Sequence, residues 1–247
     1  MKTRFSNILL LASFFAFTSV SFAQENERPE EIQKIIDDNQ ERFVFELTHD
    51  RADGDDAPDI ATLSRGVNVY YMKNIPLGES KFSVAPGLGI ANRQLYMKNI
   101  YDFDASSGMV SLIDVPENLE RNVSKLNFTY LEAPVELRWA SQQDKRGHSF
   151  KVATGFRAGY MLSSKFKYTG QVFTDDYFVN DGNDVTYTEK LKLKKLENLV
   201  RYRVAPSFRV GYGSVNLFGY YQVNNDFDAG RGPKMNGYSL GVSISSF

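Results

Sequence analysis

Phe82-Ser83-Val84-Ala85-Pro86-Gly87-Leu88-Gly89-Ile90-Ala91 alternates large and small side chains without exception. Successive side chains of a β-strand point to opposite faces, so Phe82, Val84, Pro86, Leu88 and Ile90 share one face and the serine, alanines and glycines share the other. Apolar bulk on one side and almost no volume on the other suits a strand that meets lipid outside and a crowded lumen inside.

The same rhythm recurs on both sides of this stretch. Phe43, Phe45 and Leu47 alternate with Val44, Glu46 and Thr48, and Val67, Val69 and Tyr71 with Gly66, Asn68 and Tyr70. Further on, Leu131, Ala133, Val135, Leu137 and Trp139 oppose Glu132, Glu136 and Arg138; Phe150, Val152, Phe156, Ala158 and Tyr160 oppose Lys151, Ala153, Gly155, Arg157 and Gly159. Tyr202, Val204, Pro206, Phe208 and Val210 then oppose Arg201, Arg203, Ala205, Ser207 and Arg209, and Tyr238, Leu240, Val242 and Ile244 oppose Ser239, Gly241, Ser243 and Ser245. Val215 to Val223 is aromatic on both faces and leaves its orientation open. Pro86, Pro134 and Pro206 fall near strand middles, where a missing donor predicts local bulges or irregular pairing.

Connections alternate as well: short at 74–80, 141–148 and 211–214, long at 50–61, 92–125, 163–198 and 224–236. Tight turns on one side of a membrane and long loops on the other are the asymmetry of outer-membrane barrels. Face and loop patterns together predict an all-β fold, an eight-stranded antiparallel up-and-down transmembrane β-barrel with short periplasmic turns and long extracellular loops. Alternation by itself also fits a soluble barrel or sandwich with its faces reversed. The small residues of the inner faces and the terminal Phe247 favour the membrane sense.

Composition agrees. The chain has 14 Tyr and 19 Phe among 247 residues, enough for aromatic girdles at both interfaces. A formal net charge of -1 argues against a nucleic-acid partner. The absence of cysteine removes disulfides, thiol catalysis, thiolate metal sites and lipid attachment through a cysteine. Residues 1–23 read as a signal peptide, with Lys2 and Arg4, an apolar run from Ile8 to Phe17, and Ser21-Phe22-Ala23 as the cleavage site. Residues 24–41 read as an acidic periplasmic lead and 42–247 as the barrel domain.

Inner-face positions carry the candidate site: Glu46, Glu132, Glu136, Arg138, Lys151, Arg157, Arg201, Arg203 and Arg209. Charges cannot stay unpaired in a lumen only wide enough for side chains to fill. A polar plug is therefore expected, with Glu132 and Glu136 bridging arginines of the fifth and sixth strands, and an anion path through the same arginines is the alternative. Catalysis finds little support, since His49 and His148 fall at opposite ends of the barrel. Asp50, Asp53, Asp55, Asp56 and Asp59 crowd the first outer loop and Asp175, Asp176, Asp181 and Asp184 the third, without the spacing of an EF-hand. No cofactor or metal is expected. Lys190, Lys192, Lys194 and Lys195 around Leu191, Leu193 and Leu196 predict that the sixth strand extends as a hairpin above the membrane, with its lysines facing lipopolysaccharide phosphates.

Tyr130-Leu131-Glu132-Ala133-Pro134 at the opening of a middle strand resembles the PorT-type outer-membrane β-barrel family of Bacteroidota, with Tyr130, Glu132 and Pro134 as the shared motif. The resemblance extends to Gly155-Phe156-Arg157-Ala158-Gly159-Tyr160 and to the closing Gly237-Tyr238-Ser239-Leu240-Gly241-Val242, and covers roughly Arg42 to the end. It implies an outer-membrane location in a Gram-negative bacterium and possible service to type IX secretion. Phe247 would be the C-terminal assembly signal for the barrel-assembly machinery. Its odd number sets it against the even, outward residues of the last strand, which predicts a bulge or a one-residue fray near Ser245-Ser246. The expected function is a non-enzymatic scaffold or interaction module whose partner is read by the outer loops 101–119 and 166–187. A small-solute or anion conduit and an outer-membrane lipid-modifying enzyme are the alternatives.

Overall fold

The computed structural model describes residues 42–60, 64–172 and 187–246. Residues 1–41, where a signal peptide and an acidic lead are expected, and residues 61–63, 173–186 and 247 lie outside the described residues. Twelve strands follow in order: β1 (Phe43–Asp53), β2 (Arg65–Met72), β3 (Ile75–Pro76), β4 (Phe82–Tyr96), β5 (Asn99–Asp104), β6 (Met109–Asp114), β7 (Arg121–Ala140), β8 (Phe150–Val172), β9 (Tyr187–Lys194), β10 (Tyr202–Tyr212), β11 (Val215–Tyr221) and β12 (Asn236–Ser246). Eight of them, β1, β2, β4, β7, β8, β10, β11 and β12, form a closed antiparallel ring, because β10 pairs with β8 and β12 pairs back onto β1. Every strand of the ring therefore has a neighbour on both sides and no sheet edge meets lipid.

Exposure settles the sense of the faces. Leu47, Phe156, Tyr202 and Leu217 are 62–65% exposed, whereas Glu132, Arg157 and Arg203 are 0–1% exposed. The barrel is apolar outside and charged inside, the reverse of a soluble one. Each large apolar side chain gains about 1.5–3 kcal/mol on leaving water, so this surface requires lipid. At the turn end Phe43, Tyr71, Phe82, Trp139, Phe150 and Tyr212 are register neighbours in pairs, with Phe43 and Tyr71 rings 5.4 Å apart and Trp139 and Phe150 rings 6.4 Å apart. At the loop end Tyr160 pairs with Tyr202, and Tyr221 with Tyr238. Ten residues at about 3.3 Å each, tilted about 40°, separate the two bands by roughly 25 Å, the height of an outer-membrane apolar belt.

The aromatic seventh strand, β11, turns Asn216, Phe218 and Tyr220 inward and Val215, Leu217 and Tyr221 outward. Between β10 and β11 the turn is two residues long, and Gly213 at φ 61° supplies the positive angle that such hairpins require. The prolines bring irregular pairing but no bulge: the β4–β7 ladder lapses over two residues between Pro86 and Glu132, with Pro134 inside the lapse, yet its register is the same on both sides, and Pro134 and Pro206 keep their registers with β8. Proline loses its donor but keeps its acceptor, and Lys73 N–H uses that of Pro86 at 2.9 Å. The register shifts of β7 and β8 lie instead between Arg121 and Val123 and between Thr129 and Tyr130. Nor does β12 bulge near its end: it keeps one register with β1 from Asn236 through Ser246.

Above the outer aromatic band the architecture changes. β4, β7 and β8 continue past the membrane, β9 pairs with the upper part of β8, and β10 pairs with its lower part. β9 and β10 thus occupy one staircase position, interrupted at 195–201, where Lys195 and Asn198 take positive φ. Inside this raised wall lies a hydrophobic core that includes Leu95, Met97, Leu126, Phe128, Phe166, Tyr168, Phe227 and Met235. The β5–β6 hairpin folds over it, contributing Ile100, Tyr101 and Val110, with the Tyr101 and Phe166 rings 6.0 Å apart. Val110 N–H donates to Arg231 O at 2.9 Å, and the Asn198 amide donates to Gly108 O and Arg231 O at 2.8 and 2.9 Å. Short bridges join Ile60 to Met97 and Leu199 to Phe227, so segments from every outer connection knit into one cap.

Candidate functional site

Small inner-face residues make the lumen's charge possible. A Cβ on Gly159 would lie 3.0 Å from Arg203 Cγ, and one on Gly241 2.9 Å from the Phe218 ring. Glycine there leaves room for the long side chain of its register partner on the neighbouring strand, Arg203 beside Gly159 and Phe218 beside Gly241.

Three layers of charge fill that space. Nearest the periplasm, Glu136 Oε2 accepts from Arg138 Nε at 2.9 Å and from Arg209 Nη2 at 2.7 Å. At mid-height, Arg157 grips Glu46 through both terminal nitrogens at 2.7 Å, and the Asn68 amide donates to Glu46 Oε2 at 2.9 Å. Beside them Glu132 accepts from Tyr70 Oη and from Arg203 Nε, each at 2.6 Å, with Arg157 Nη1 4.0 Å away. Toward the cap, Arg93 pairs with Asp226 at 2.5 Å and donates to Gln222 Oε1 at 3.1 Å. Asp50 accepts from Ser239 Oγ at 2.7 Å and from Gln94 N–H at 3.0 Å. Arginine faces also lie over rings: Arg203 is 4.1 Å from the Tyr130 centroid, Arg157 5.0 Å from Tyr220, and Arg93 4.9 Å from Phe128.

Of the residues assigned to the inner face by parity, Glu46, Glu132, Glu136, Arg138, Lys151, Arg157, Arg203 and Arg209 are buried. Lys151 sits with Arg138, Arg209 and Asn216 in a cleft at the periplasmic mouth. Arg201 is not among them. It is exposed: β10 begins only at Tyr202, and 201 is a bend whose carbonyl still accepts from Met161 N–H on β8, so strand parity no longer fixes where its side chain lies. Tyr130, Glu132 and Pro134 are successive inward positions of β7 and all are buried, whereas Phe247 lies outside the described residues.

Three charged members, Arg93, Asp50 and Asp226, went unread. Arg93 continues the odd-numbered inner face of Phe82–Ala91 and Asp50 the even-numbered inner face of β1, so parity would have found both had the strands been followed further. Its acidic neighbours in sequence instead group Asp50 with the first outer loop. Asp226 is brought in by the β11–β12 connection and follows no strand period. With these added, five acids (Glu46, Asp50, Glu132, Glu136, Asp226) face six bases (Arg93, Arg138, Lys151, Arg157, Arg203, Arg209) among the described buried residues. The excess of base suggested by the sequence largely disappears.

Chemically, Glu46, Glu132 and Glu136 are committed to guanidinium groups, and no histidine approaches them. His49 is exposed and accepts from Arg51 Nε at 3.1 Å, while His148 packs edge-on against Tyr212 at the opposite end. Tyr212 donates to Asp144 in the same turn, and this bond, with the backbone N–H of His148, holds the Asp144 carboxyl below its usual range. In the first outer loop Asp59 pairs with Lys98, which lowers its pKa, and Asp56 Oδ2 accepts from Lys234 N–H at 3.1 Å. Among the described residues no group of three or more acidic or histidine side chains converges as a metal site. The acidic cluster at 175–184 lies outside the described residues.

The crystal structure of Ail, the attachment invasion locus protein of Yersinia pestis, in complex with the heparin analogue sucrose octasulfate, shares 10% identity with the chain. That match covers 83% of this chain and 97% of Ail at a TM-score of 0.34. No curated protein matches. The profile of the family described as outer membrane protein beta-barrel domain matches residues 15–223. The chain, a charge-filled and lipid-facing ring of eight strands, belongs to that outer-membrane β-barrel family and resides in an outer membrane.

Proposed function

We propose that the protein is a sealed, non-enzymatic scaffold that displays a rigid folded surface outside the cell. One observation carries this reading: the barrel is closed twice, by paired charges across the membrane and by an apolar core above them. A conduit would need water through both. The aromatic residues expected to read a partner, Tyr101, Phe166 and Tyr168, are buried in the cap, so recognition falls to its polar exterior. That is a surface held by a stiff frame, where binding residues tend to sit. An accessory part in secretion rests on the sequence resemblance alone, and no contact in the barrel favours it over this reading.

Planar bilayers test the sealing. The purified protein should show no stable conductance, and reproducible large openings would refute the scaffold in favour of the conduit. Crosslinking in intact outer membranes should recover protein neighbours through residues on the outside of the cap. Turnover of phospholipid or lipid A by the purified barrel would refute its non-enzymatic character.

A further inference from the structure

Pairing registers above the outer aromatic band line up lysines on the outward face of the raised wall. Lys125, Lys167 and Lys192 form one cross-strand row over β7, β8 and β9, and Asn127, Lys165 and Lys194 form the next. Lys190 stands opposite Thr169 one row higher. Like charges directly opposite one another weaken a sheet unless something neutralises them. No aspartate or glutamate occupies an outward position in these rows. Lys125 is steadied by Gln94 Oε1 at 3.2 Å and by the Tyr96 ring at 5.2 Å. Among the described residues Lys165, Lys167, Lys190, Lys192 and Lys194 have no ion pair.

Among the described residues β9 is the edge of this extension, and lysine on an edge strand commonly serves to block pairing with other chains. That accounts for Lys190, Lys192 and Lys194 only. Lys125, Lys165 and Lys167 belong to β7 and β8, which are paired on both sides at those residues. Six ammonium groups on one face need another explanation, and the location supplies it. Lys165 follows Tyr160 by five residues, about 13 Å of height for a tilted strand. Its side chain therefore reaches the layer just outside the hydrocarbon, where the outer leaflet of an outer membrane presents phosphates.

We propose that Lys125, Lys165, Lys167, Lys190, Lys192 and Lys194 form a binding face for the phosphate groups of lipopolysaccharide. Rows of ammonium groups about 5 Å apart along the pairing direction match a polyanion better than a single ion. The proposal adds a ligand to the scaffold reading and rests on its outer-membrane placement, not on the barrel being sealed. Conductance and lipopolysaccharide binding can therefore fail independently.

The test measures binding of full-length protein in detergent to purified lipopolysaccharide, to lipid A alone and to enzymatically dephosphorylated lipopolysaccharide. Phosphorylated lipopolysaccharide should bind with a salt-sensitive affinity at least tenfold above the dephosphorylated form, and lipid A assigns how much of this comes from its own phosphates. Changing all six lysines to glutamine should remove that difference. A control with Lys81, Lys145 and Arg146 in the periplasmic turns changed to glutamine should keep it. Heat-modifiable migration on gels confirms that each variant is a folded barrel. A further variant, with Asp175, Asp176, Asp181 and Asp184 changed to asparagine, removes the acidic cluster between β8 and β9 in the sequence and should bind at least as well as the parent. Equal binding by the six-lysine variant, indifference to dephosphorylation, or loss of binding in the aspartate variant would overturn the proposal.

Discussion

Gly237 shows how much of this lumen depends on absent side chains. A Cβ there would lie 1.6 Å from Arg93 Nη1, so any larger residue must expel the guanidinium that holds Asp226 and Gln222. Breaking a buried pair from one side costs about 3–5 kcal/mol. Gly237→Ala should therefore free the connection at 222–235, seen as protease cleavage there in a barrel that otherwise remains folded. Glu46→Gln should cost a similar amount by stranding Arg157, lowering the urea midpoint of the barrel in detergent micelles. Replacing Glu46 and Arg157 together by methionine should restore most of that loss, since apolar groups of similar size often replace buried pairs at little cost. The inner-face residues inside the belt were legible because one residue of parity decides lipid or lumen. Their partners were not: the residues of Glu46 and Arg157 are 111 apart, a pairing set by which strands face each other across the ring.

Strand identity follows from period two, but strand ends do not. Within the belt the inner face is small or charged, whereas above it the same face becomes apolar at Leu126, Phe128, Phe166 and Tyr168. The alternation continues while its meaning inverts, from lipid outside to water outside. A reading tuned to lipid therefore stops at the membrane, though β7 runs for 20 residues and β8 for 23. The β5–β6 hairpin lacks clean alternation, because its mixed faces meet the cap on one side and solvent on the other. Its tip is held by Asp104, which accepts from Ser107 Oγ at 2.6 Å and Ser106 Oγ at 2.7 Å, lowering its pKa to about 2 from the ordinary 3.8. A depressed carboxylate favours the folded turn fully above its ordinary pKa and loses that contribution as pH falls through the depressed value. The Asp104 carboxyl carbon should thus titrate near pH 2 by NMR, and Ser106→Ala with Ser107→Ala should return it toward 3.8.

At the scale of the molecule the barrel is a stopper with a lid, and the two parts should separate. Replacing residues 99–114 with a short glycine-serine linker uncovers Phe166, Tyr168, Leu126 and Phe128, so binding of an apolar dye should rise sharply while heat-modifiable migration persists. Loss of both would show that the lid is needed for the ring to form. Closure itself has a timing consequence. β1 and β12 meet through all 11 of their residues, and the chain between them must be threaded before they can. Glu46 on β1 waits for Arg157 on β8, and Arg93 on β4 for Asp226 just before β12. Until the ring shuts, these charges have water as their only partner. They would therefore serve as solubilising groups on an unfolded chain in transit and become ballast once inside. A chain with Glu46, Arg93, Arg157 and Asp226 all replaced by methionine should aggregate faster on dilution from urea in the absence of detergent, even if its finished barrel is no less stable.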